Sequence, residues 1–297
     1  PDTVQVRLSE LFNVEFSQDD MPMTKAELIS AMQRAHVLVP TLNDHIDAEL
    51  IAQAGNQLKL LANYGSGVDH IDVDAAHKHG ILVSNSPTIS SSDTADMTIA
   101  LVLAVMRRFK EGSNVMESGA WQGWAPSAFL GTRVTGKSIG ILGMGRIGTA
   151  LAERAKAFGL NIHYHNRKKV HPDTETRLNA KYYNNLHDML PHIDILATCC
   201  PLSDKTHHIL NAEALALMKP SAVVVNTARG ALIDEAALEI SLLNGKLAAA
   251  GLDVLATGTH VNKTLCELPN VMLLPHMGSA TQEARHEMGE TVILNIK

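Results

Sequence analysis

Four segments of this chain contain an arginine, a carboxylate, a histidine or a glycine-rich turn, and each of them follows an apolar run. Asn226-Thr227-Ala228-Arg229-Gly230 follows one run, and Asp253 follows another. Pro275-His276-Met277-Gly278 comes after a third, and Gly65-Ser66-Gly67 after a fourth. If the runs are parallel strands, these groups gather at one edge, because such sheets bind ligands outside the carboxyl ends of their strands.

These residue types suit hydride transfer to a 2-oxo acid. A guanidinium such as that of Arg229 binds a carboxylate and polarises a carbonyl group. An imidazole such as that of His276 gives a proton to the alkoxide that forms. Exposed N–H groups at Ser66 and Gly67 can hold the substrate carboxylate. Each residue alone also has a plainer interpretation, as a satisfied turn residue or an ion-pair partner.

A glycine motif indicates a dinucleotide site. Gly143-Met144-Gly145-Arg146-Ile147-Gly148 lies between a strand-like run at 138–142 and a stretch at 149–158 with apolar residues at helical spacing. A second strand-like run at 160–164 completes a βαβ pattern. In that setting the glycines let the backbone approach a pyrophosphate at the helix N-terminus. A purely structural turn is the alternative.

The end of that second strand indicates which dinucleotide binds. NAD sites usually carry an acidic residue about 20 residues after the glycines, on the ribose 2′-OH. Here the sequence is His165-Asn166-Arg167-Lys168-Lys169, without a carboxylate. Because arginine and lysine pair with a 2′-phosphate, we expect NADP(H), with Arg167 as the main ligand and Lys168 in support. The alternatives are NAD(H) and a solvated basic turn.

Composition excludes several classes of protein. The 297 residues are 45% hydrophobic and 19% charged, which excludes a disordered chain. The net charge of -6 argues against a nucleic-acid partner. No apolar run is long enough to cross a membrane, and without a signal peptide we expect a cytoplasmic protein. The 15 histidines and three cysteines show no metal-ligand spacing, so we expect no metal.

Strand-like and helical runs alternate along the chain, which predicts an α/β fold with two Rossmann-like, doubly wound parallel-sheet domains. A turn-rich stretch at 85–93 precedes a long helix, and the glycine motif comes only after that helix. We therefore predict that a dinucleotide-binding domain (90–281) is inserted into a discontinuous substrate domain (1–89 plus 282–297). The predicted strands are 37–40, 58–62, 81–83, 138–142, 161–164, 193–199, 222–226, 248–252 and 271–274. The predicted helices are 25–35, 47–54, 95–108, 149–158, 212–217, 235–244 and 281–296.

Together these motifs resemble the D-isomer-specific 2-hydroxyacid dehydrogenases, and within them the glyoxylate/hydroxypyruvate reductase (glycerate dehydrogenase) branch. The resemblance covers nearly the whole chain. It rests on GSGVDHID at 65–72, GMGRIG at 143–148, NTARG at 226–230, AGLDV at 250–254 and LPHMGSAT at 274–281. It implies NAD(P)H-dependent reduction of small 2-oxo acids, with Arg229 polarising the carbonyl and His276 donating the proton.

The resemblance also implies binding roles. Ser66 and Gly67 would hold the substrate carboxylate, and Asp253 the nicotinamide carboxamide. In this branch the tryptophan equivalent to Trp124 reaches into the partner's active site, which implies a homodimer; simple packing is its plainer interpretation. The remaining implied cofactor contacts are Thr94, Gly143, Gly145, Arg146, Ile147, Gly148, Asn166, Arg167, Lys168, Cys200, Pro201, Thr206, Thr227, His276 and Gly278.

One position departs from the family pattern. The resemblance implies a glutamate five residues after Asp253, where this chain has Gly258. That carboxylate normally favours the charged form of the histidine. Without it we expect less than about half of His276 to be protonated at pH 7, and so a weakened reductase with an acid-shifted profile, unless Glu267 or Glu283 compensates. The alternative function is a nucleotide-sensing regulator or binding module.

The ends of the chain differ from the family as well. The resemblance implies a strand just before Pro1, and the helix predicted from 281 is still running at Lys297. We therefore expect the natural protein to contain residues beyond this sequence.

Overall fold

The computed structural model describes residues 1–17, 21–256, 258 and 261–297. They form two compact units: a first unit of Pro1–Ser90 with Ser279–Lys297, and a second unit of Ser91–Gly278. The helices are α1 (Asp2–Leu11), α2 (Lys25–Arg34), α3 (Ala48–Ile51), α4 (Val73–Lys78), α5 (Ser91–Met106), α6 (Phe109–Glu117), α7 (Arg146–Ala157), α8 (Pro172–Leu178), α9 (Leu186–Met189), α10 (Ala212–Ala216), α11 (Glu235–Leu243), α12 (Lys263–Glu267) and α13 (Gln282–Ile296). The strands are β1 (Val37–Leu38), β2 (Leu60–Ala62), β3 (Leu82–Ser84), β4 (Ser138–Leu142), β5 (Asn161–His165), β6 (Lys181–Tyr183), β7 (Ile195–Thr198), β8 (Val223–Asn226), β9 (Ala249–Leu252) and β10 (Val271–Leu273).

The first unit is built on a parallel sheet in the order β1-β2-β3. Its core packs residues of α2, α3 and β2, among them the fully buried Met32, Ile51 and Leu61. Helix α13 returns to this sheet, and the hydroxyl of Tyr64 donates a 2.5 Å hydrogen bond to the carbonyl oxygen of Arg285 on that helix. The turn that follows β2 is therefore anchored to α13.

The second unit holds a larger parallel sheet in the order β10-β9-β8-β7-β4-β5-β6. All residues of β7, β8 and β9 are buried. Apolar clusters line both faces of the sheet, as expected for parallel strands covered by helices. The strand order reverses between β4 and β7, and this reversal is where doubly wound sheets bind their ligands.

The predicted α/β class with parallel sheets is confirmed, whereas several elements differ from prediction. Strand β6 was not predicted, nor were the helices α1, α4, α6, α8, α9 and α12; of these elements all but α1 and α6 have seven residues or fewer. The predicted helix 95–108 corresponds to α5 (Ser91–Met106), and α6 follows it after Arg108, whose backbone is left-handed (φ 57°). Among the described helices, none is both long and apolar enough to cross a membrane.

Candidate active site

Each glycine of the motif occupies a position that a larger residue would disturb or obstruct. Gly143 directly follows β4 with φ 103°, and a Cβ there would lie 2.6 Å from the backbone nitrogen of Cys200. A Cβ on Gly148 would collide with the carbonyl oxygen of Gly143. Gly145 is the N-cap of α7, makes no side-chain cap and faces open space. The uncapped helix end thus leaves N–H groups and room for a phosphate.

The basic loop after β5 is tied to the glycine turn. The Oδ1 atom of Asn166 accepts a 2.7 Å hydrogen bond from the backbone N–H of Met144. The carbonyl oxygen of Asn166 accepts a 3.1 Å bond from the hydroxyl of Tyr182. Arg167 and Lys168 follow as exposed residues. A neutral amide therefore lies where an NAD site places a carboxylate, with two exposed cations beside it.

Tyr164 holds the other end of this loop. Its buried hydroxyl accepts a 3.2 Å bond from the N–H of Val170 and donates a 2.5 Å bond to Glu175. Burial, and next the hydrogen bond to Glu175, raise the pKa of this phenol beyond the physiological range. The ammonium of Lys169 lies 5.3 Å from the ring centre of Tyr182, in a cation–π contact. Lys169 is thus engaged within the loop.

The segment after β7 approaches the glycine turn. Cys200 is the residue that a side chain on Gly143 would strike. Burial raises the pKa of the Cys200 thiol to about 11, so it is protonated at neutral pH and is no nucleophile. The hydroxyl of Thr206 donates to the carbonyl oxygen of Pro201 (2.8 Å), which closes this loop on itself. Of these predicted cofactor contacts, Cys200 lies beside Gly143, and Pro201 and Thr206 belong to the loop that follows it.

Arg229 lies in a turn organised by the last residue of β8. Asn226, 1% exposed, accepts hydrogen bonds at Oδ1 from the hydroxyl of Thr198 (2.6 Å) and the N–H of Ala228 (3.0 Å). Its Nδ2 donates to the carbonyl oxygen of Arg229 (2.8 Å). The Arg229 guanidinium is half-buried and donates to the carbonyl oxygen of Ala228 (2.8 Å). The backbone that carries this cation is therefore rigidly held.

Threonines connect helix α5 to the same edge of the sheet. The hydroxyl of Thr98 lies 2.7 Å from that of Thr227 and donates to the carbonyl oxygen of Thr94. All three are buried. Thr94 in turn lies 3.6 Å from where a Cβ on Gly278 would be. The predicted contacts Thr94, Thr227 and Gly278 thus share one neighbourhood.

His276 lies in a strained turn that Asp253 stabilises. Its backbone is left-handed (φ 54°), which is unfavourable for a residue with a side chain. The carbonyl oxygen of Asp253 accepts from the N–H of His276 (2.8 Å), and its carboxylate accepts from the N–H groups of Met277 (2.8 Å) and Gly278 (2.7 Å). Burial raises the pKa of Asp253, and the two N–H donors partly offset that rise. Sequence reasoning missed this role of Asp253, although its position at a strand end was a usable signal.

The position of the expected glutamate is open. Gly258 is exposed, with φ 63°, and among the described residues a Cβ there would have no neighbour within 4 Å. Thr257 and Thr259, which belong to the same predicted run, lie outside the described residues. Of the two carboxylates expected to compensate, Glu267 ends α12 and Glu283 lies in the first turn of α13.

Ser66 and Gly67 belong to the first unit, in the turn that follows β2. The hydroxyl of Ser66 donates a 2.8 Å hydrogen bond to the carbonyl oxygen of Ser86. Trp124 lies in the segment between α6 and β4 and is 84% exposed. Across the described residues, no group of His, Cys, Asp and Glu side chains is arranged to hold a metal ion.

Two hydrogen-bonded groups hold predicted residues of the second unit at the carboxyl edge of its sheet. Met144 bonds Asn166 next to β4 and β5. The N–H of Asp253 donates to the carbonyl oxygen of Asn226 (2.9 Å), which links the turns after β8 and β9. Asp253 then reaches the turn of His276 after β10. The structure thus places Arg229 after β8 and His276 after β10, at one edge of the sheet, with the turn of Asp253 after β9 between them.

Comparison with known proteins shows which enzyme family the chain is similar to. Residues 99–278 match the family described as D-isomer specific 2-hydroxyacid dehydrogenase, NAD binding domain. The chain is 40% identical to a glyoxylate reductase of Thermococcus litoralis, over 97% of this chain and 88% of that protein. A solved glyoxylate reductase from Paecilomyes thermophila superimposes with a TM-score of 0.88 at 35% identity, covering 99% of this chain and 90% of that one. The NADPH-dependent glyoxylate/hydroxypyruvate reductase of Sinorhizobium meliloti, solved with NADP and malonate, superimposes with a TM-score of 0.88 at 32% identity, covering 100% and 89%.

Proposed function

Because the chain belongs to the D-isomer-specific 2-hydroxyacid dehydrogenase family, we propose that it reduces glyoxylate and hydroxypyruvate to their D-2-hydroxy acids with NADPH. The observation that best supports this function is the hydrogen-bonded chain from Asn226 through Asp253 to Gly278. It links the turns of Arg229 and His276, after β8 and β10, through the intervening turn of Asp253 at the edge where such sheets bind their ligands.

The chemistry divides between these two side chains. When bound, the reduced nicotinamide supplies the hydride. The guanidinium of Arg229 binds the substrate carboxylate and stabilises the negative charge that develops on the carbonyl oxygen. The imidazolium of His276 donates the proton that this oxygen needs to become a hydroxyl. In the first unit, Ser66 and Gly67 hold the substrate carboxylate through backbone N–H groups.

The second unit offers a fitting cradle for the cofactor. The N-terminus of α7 has no side-chain cap, and the open space beside Gly145 admits a pyrophosphate. Asn166, Arg167 and Lys168 favour a 2′-phosphate over a free 2′-hydroxyl, since they supply an amide and two exposed cations and no carboxylate. NADP(H) is therefore the proposed cofactor, and NAD(H) its competitor.

A homodimer is part of the proposal. Helix α6 buries none of its residues, and Phe109 and Met116 on it are exposed. The segment that follows exposes Trp121 (54%), Trp124 (84%) and Leu130 (66%). Monomeric proteins rarely expose so many large apolar side chains in one stretch. Sedimentation should give a dimer, and Trp124→Ala should weaken it or raise the KM for the oxo acid; a monomer with unchanged kinetics would refute this part.

Initial rates with both substrates and both cofactors test the proposal. We expect turnover with glyoxylate and NADPH, a higher kcat/KM with NADPH than with NADH, and losses of at least about a hundredfold in kcat for His276→Ala and in kcat/KM for Arg229→Ala. The alternative, a nucleotide-sensing module, is favoured by the absence of a carboxylate at Gly258. Tight NADPH binding without turnover at any pH would support it and refute the reductase.

A further inference from the structure

In the turn after β2, the carbonyl groups of three successive residues, Gly65, Ser66 and Gly67, accept hydrogen bonds from neighbouring groups of the same unit. The carbonyl oxygen of Gly65 accepts from the N–H of Ser86 (2.9 Å) and from Nδ2 of Asn63 (3.1 Å). That of Ser66 accepts from Nδ2 of Asn85 (2.7 Å). That of Gly67 accepts from Nδ2 of Asn63 (2.9 Å). Three successive peptide groups are thus oriented by hydrogen bonds to their oxygens.

This arrangement determines where the N–H groups of the turn point. The described peptide bonds are all trans, so each N–H points away from the carbonyl group of its own peptide plane. The N–H groups of Ser66, Gly67 and Val68 share planes with the three inward carbonyls, and they therefore face outward. Within the described part of the chain these three groups donate no hydrogen bond. Successive backbone N–H groups of this kind form an anion-binding concavity.

Asn63 is the main support of the turn. It is 1% exposed, and its Nδ2 uses both hydrogens on the carbonyl oxygens of Gly65 and Gly67. Its Oδ1 pairs with Nε2 of the buried His70 at 3.0 Å, which fixes the orientation of the amide. Burying a polar side chain costs free energy unless its hydrogen bonds are made. Here two of the bonds hold the carbonyl groups of the turn and the third orients the amide that makes them.

We propose that Asn63 and Asn85 are positioning residues that aim the N–H groups of Ser66, Gly67 and Val68 at the substrate carboxylate. The inference rests on the proposed function and extends it to two side chains that do not themselves touch the substrate. It also adds the N–H of Val68 as a third donor. An anion is the ligand that the turn selects, because it presents only donors.

The test compares Asn63→Leu and Asn85→Ala with Asn56→Ala, an exposed asparagine before β2 in the same unit. Each protein is checked for folding by its thermal midpoint. The KM for glyoxylate, the dissociation constant of oxalate with NADPH present, and the dissociation constant of NADPH are then measured. We expect Asn63→Leu and Asn85→Ala to raise the KM for glyoxylate and the dissociation constant of oxalate by roughly tenfold or more, and to change the dissociation constant of NADPH by no more than about twofold. The reason is that each substitution misorients a backbone N–H group, which then loses its charge-assisted hydrogen bond to the carboxylate. The Asn56→Ala control should match the parent protein.

The outcomes separate this inference from the proposed function. If Asn63→Leu does not fold, Asn85→Ala decides, because that side chain is half-buried and makes a single bond to the turn. Unchanged glyoxylate and oxalate affinities in a folded variant would overturn the positioning role and leave the reductase standing. A parent protein that binds oxalate without turnover would overturn the reductase, and the oxalate constants would still decide the positioning role. Equal losses for NADPH and oxalate would indicate general damage and overturn the positioning role.

Discussion

Replacing Asp253 by asparagine should show how far catalysis by His276 depends on the hydrogen bonds that Asp253 makes to its turn. The two carboxylate oxygens accept from the N–H groups of Met277 and Gly278. An asparagine has the same shape but a single acceptor oxygen, so its NH₂ group would face one of these N–H groups. The variant therefore loses one hydrogen bond and sets two donors against each other in a site that is 1% exposed.

The size of the effect follows from comparing the free energy of the lost hydrogen bond with the backbone strain of His276 that this bond offsets. A hydrogen bond to a charged group contributes about 1.5–3 kcal/mol, and leaving its buried partner unsatisfied costs about 1–3 kcal/mol. The left-handed backbone of His276 costs about 1–3 kcal/mol. Because the hydrogen-bond free energy that is lost equals or exceeds the strain energy, the turn should move away from the left-handed conformation in the variant. A displacement of about 1 Å at a catalytic group lowers the rate by about a hundredfold.

Steady-state kinetics on Asp253→Asn test this argument. We expect kcat for glyoxylate to fall by about a hundredfold, with a much smaller change in the dissociation constant of NADPH. Since burial raises the pKa of Asp253, the parent protein should lose activity on the acid side at a higher pH than an ordinary aspartate would cause, and this step should be absent in the variant. A folded variant with the parent kcat and the parent pH profile would refute the reasoning.

Further substitutions test other parts of the site. Gly258→Glu should raise kcat near pH 7 relative to Gly258→Gln. The glutamine variant is the control, because it shares the backbone strain of about 1 kcal/mol at φ 63° but lacks the charge. Equal rates and equal pH profiles for the two variants would contradict the argument that a carboxylate at this position supports His276. Arg167→Ala should raise the KM for NADPH by about tenfold and leave NADH unchanged, and an equal change for both would remove its role in selectivity. Gly148→Ala should weaken NADPH and NADH together and lower the free energy of unfolding by about 1–3 kcal/mol, because its methyl group meets the Gly143 carbonyl; calorimetry and denaturant titration measure both effects.

Much of the sheet could be predicted from the sequence because its strands are buried on both faces. The runs around β4, β8 and β9 are nearly continuous in apolar residues, and the structure buries almost all of them. The short edge strand β6 lacks such a signal, since two of its three residues are exposed or half-buried. Helix α6 was not predicted, and the long helix was expected to end at residue 108, two residues past the end of α5.

The site residues show the same division between chemistry and support. Arg229, His276 and the glycines could be proposed from sequence, because their chemical types and spacing are distinctive. The roles of Asn63 and Asp253 could not, since they depend on which backbone groups the folded chain brings within hydrogen-bonding distance. The contact of Lys169, the third cation of the same basic run, could not be predicted either: the structure places its ammonium over Tyr182.

The supporting residues nevertheless follow one rule that a sequence can reveal. Asn63 and Asp253 come directly after β2 and β9, and Asn226 is the last residue of β8. Each is about 1% exposed, and each bonds the backbone of the turn it precedes or the next one along the edge. A parallel sheet leaves unpaired backbone groups where its strands end, and a short polar side chain at that point can satisfy them from within. Asparagine donates and accepts, whereas aspartate only accepts, so the choice between them sets whether carbonyl or N–H groups of the turn are drawn inward. The asparagine at 63 thereby leaves donors outward for an anion, and the aspartate at 253 draws donors inward and holds the backbone of the His276 turn.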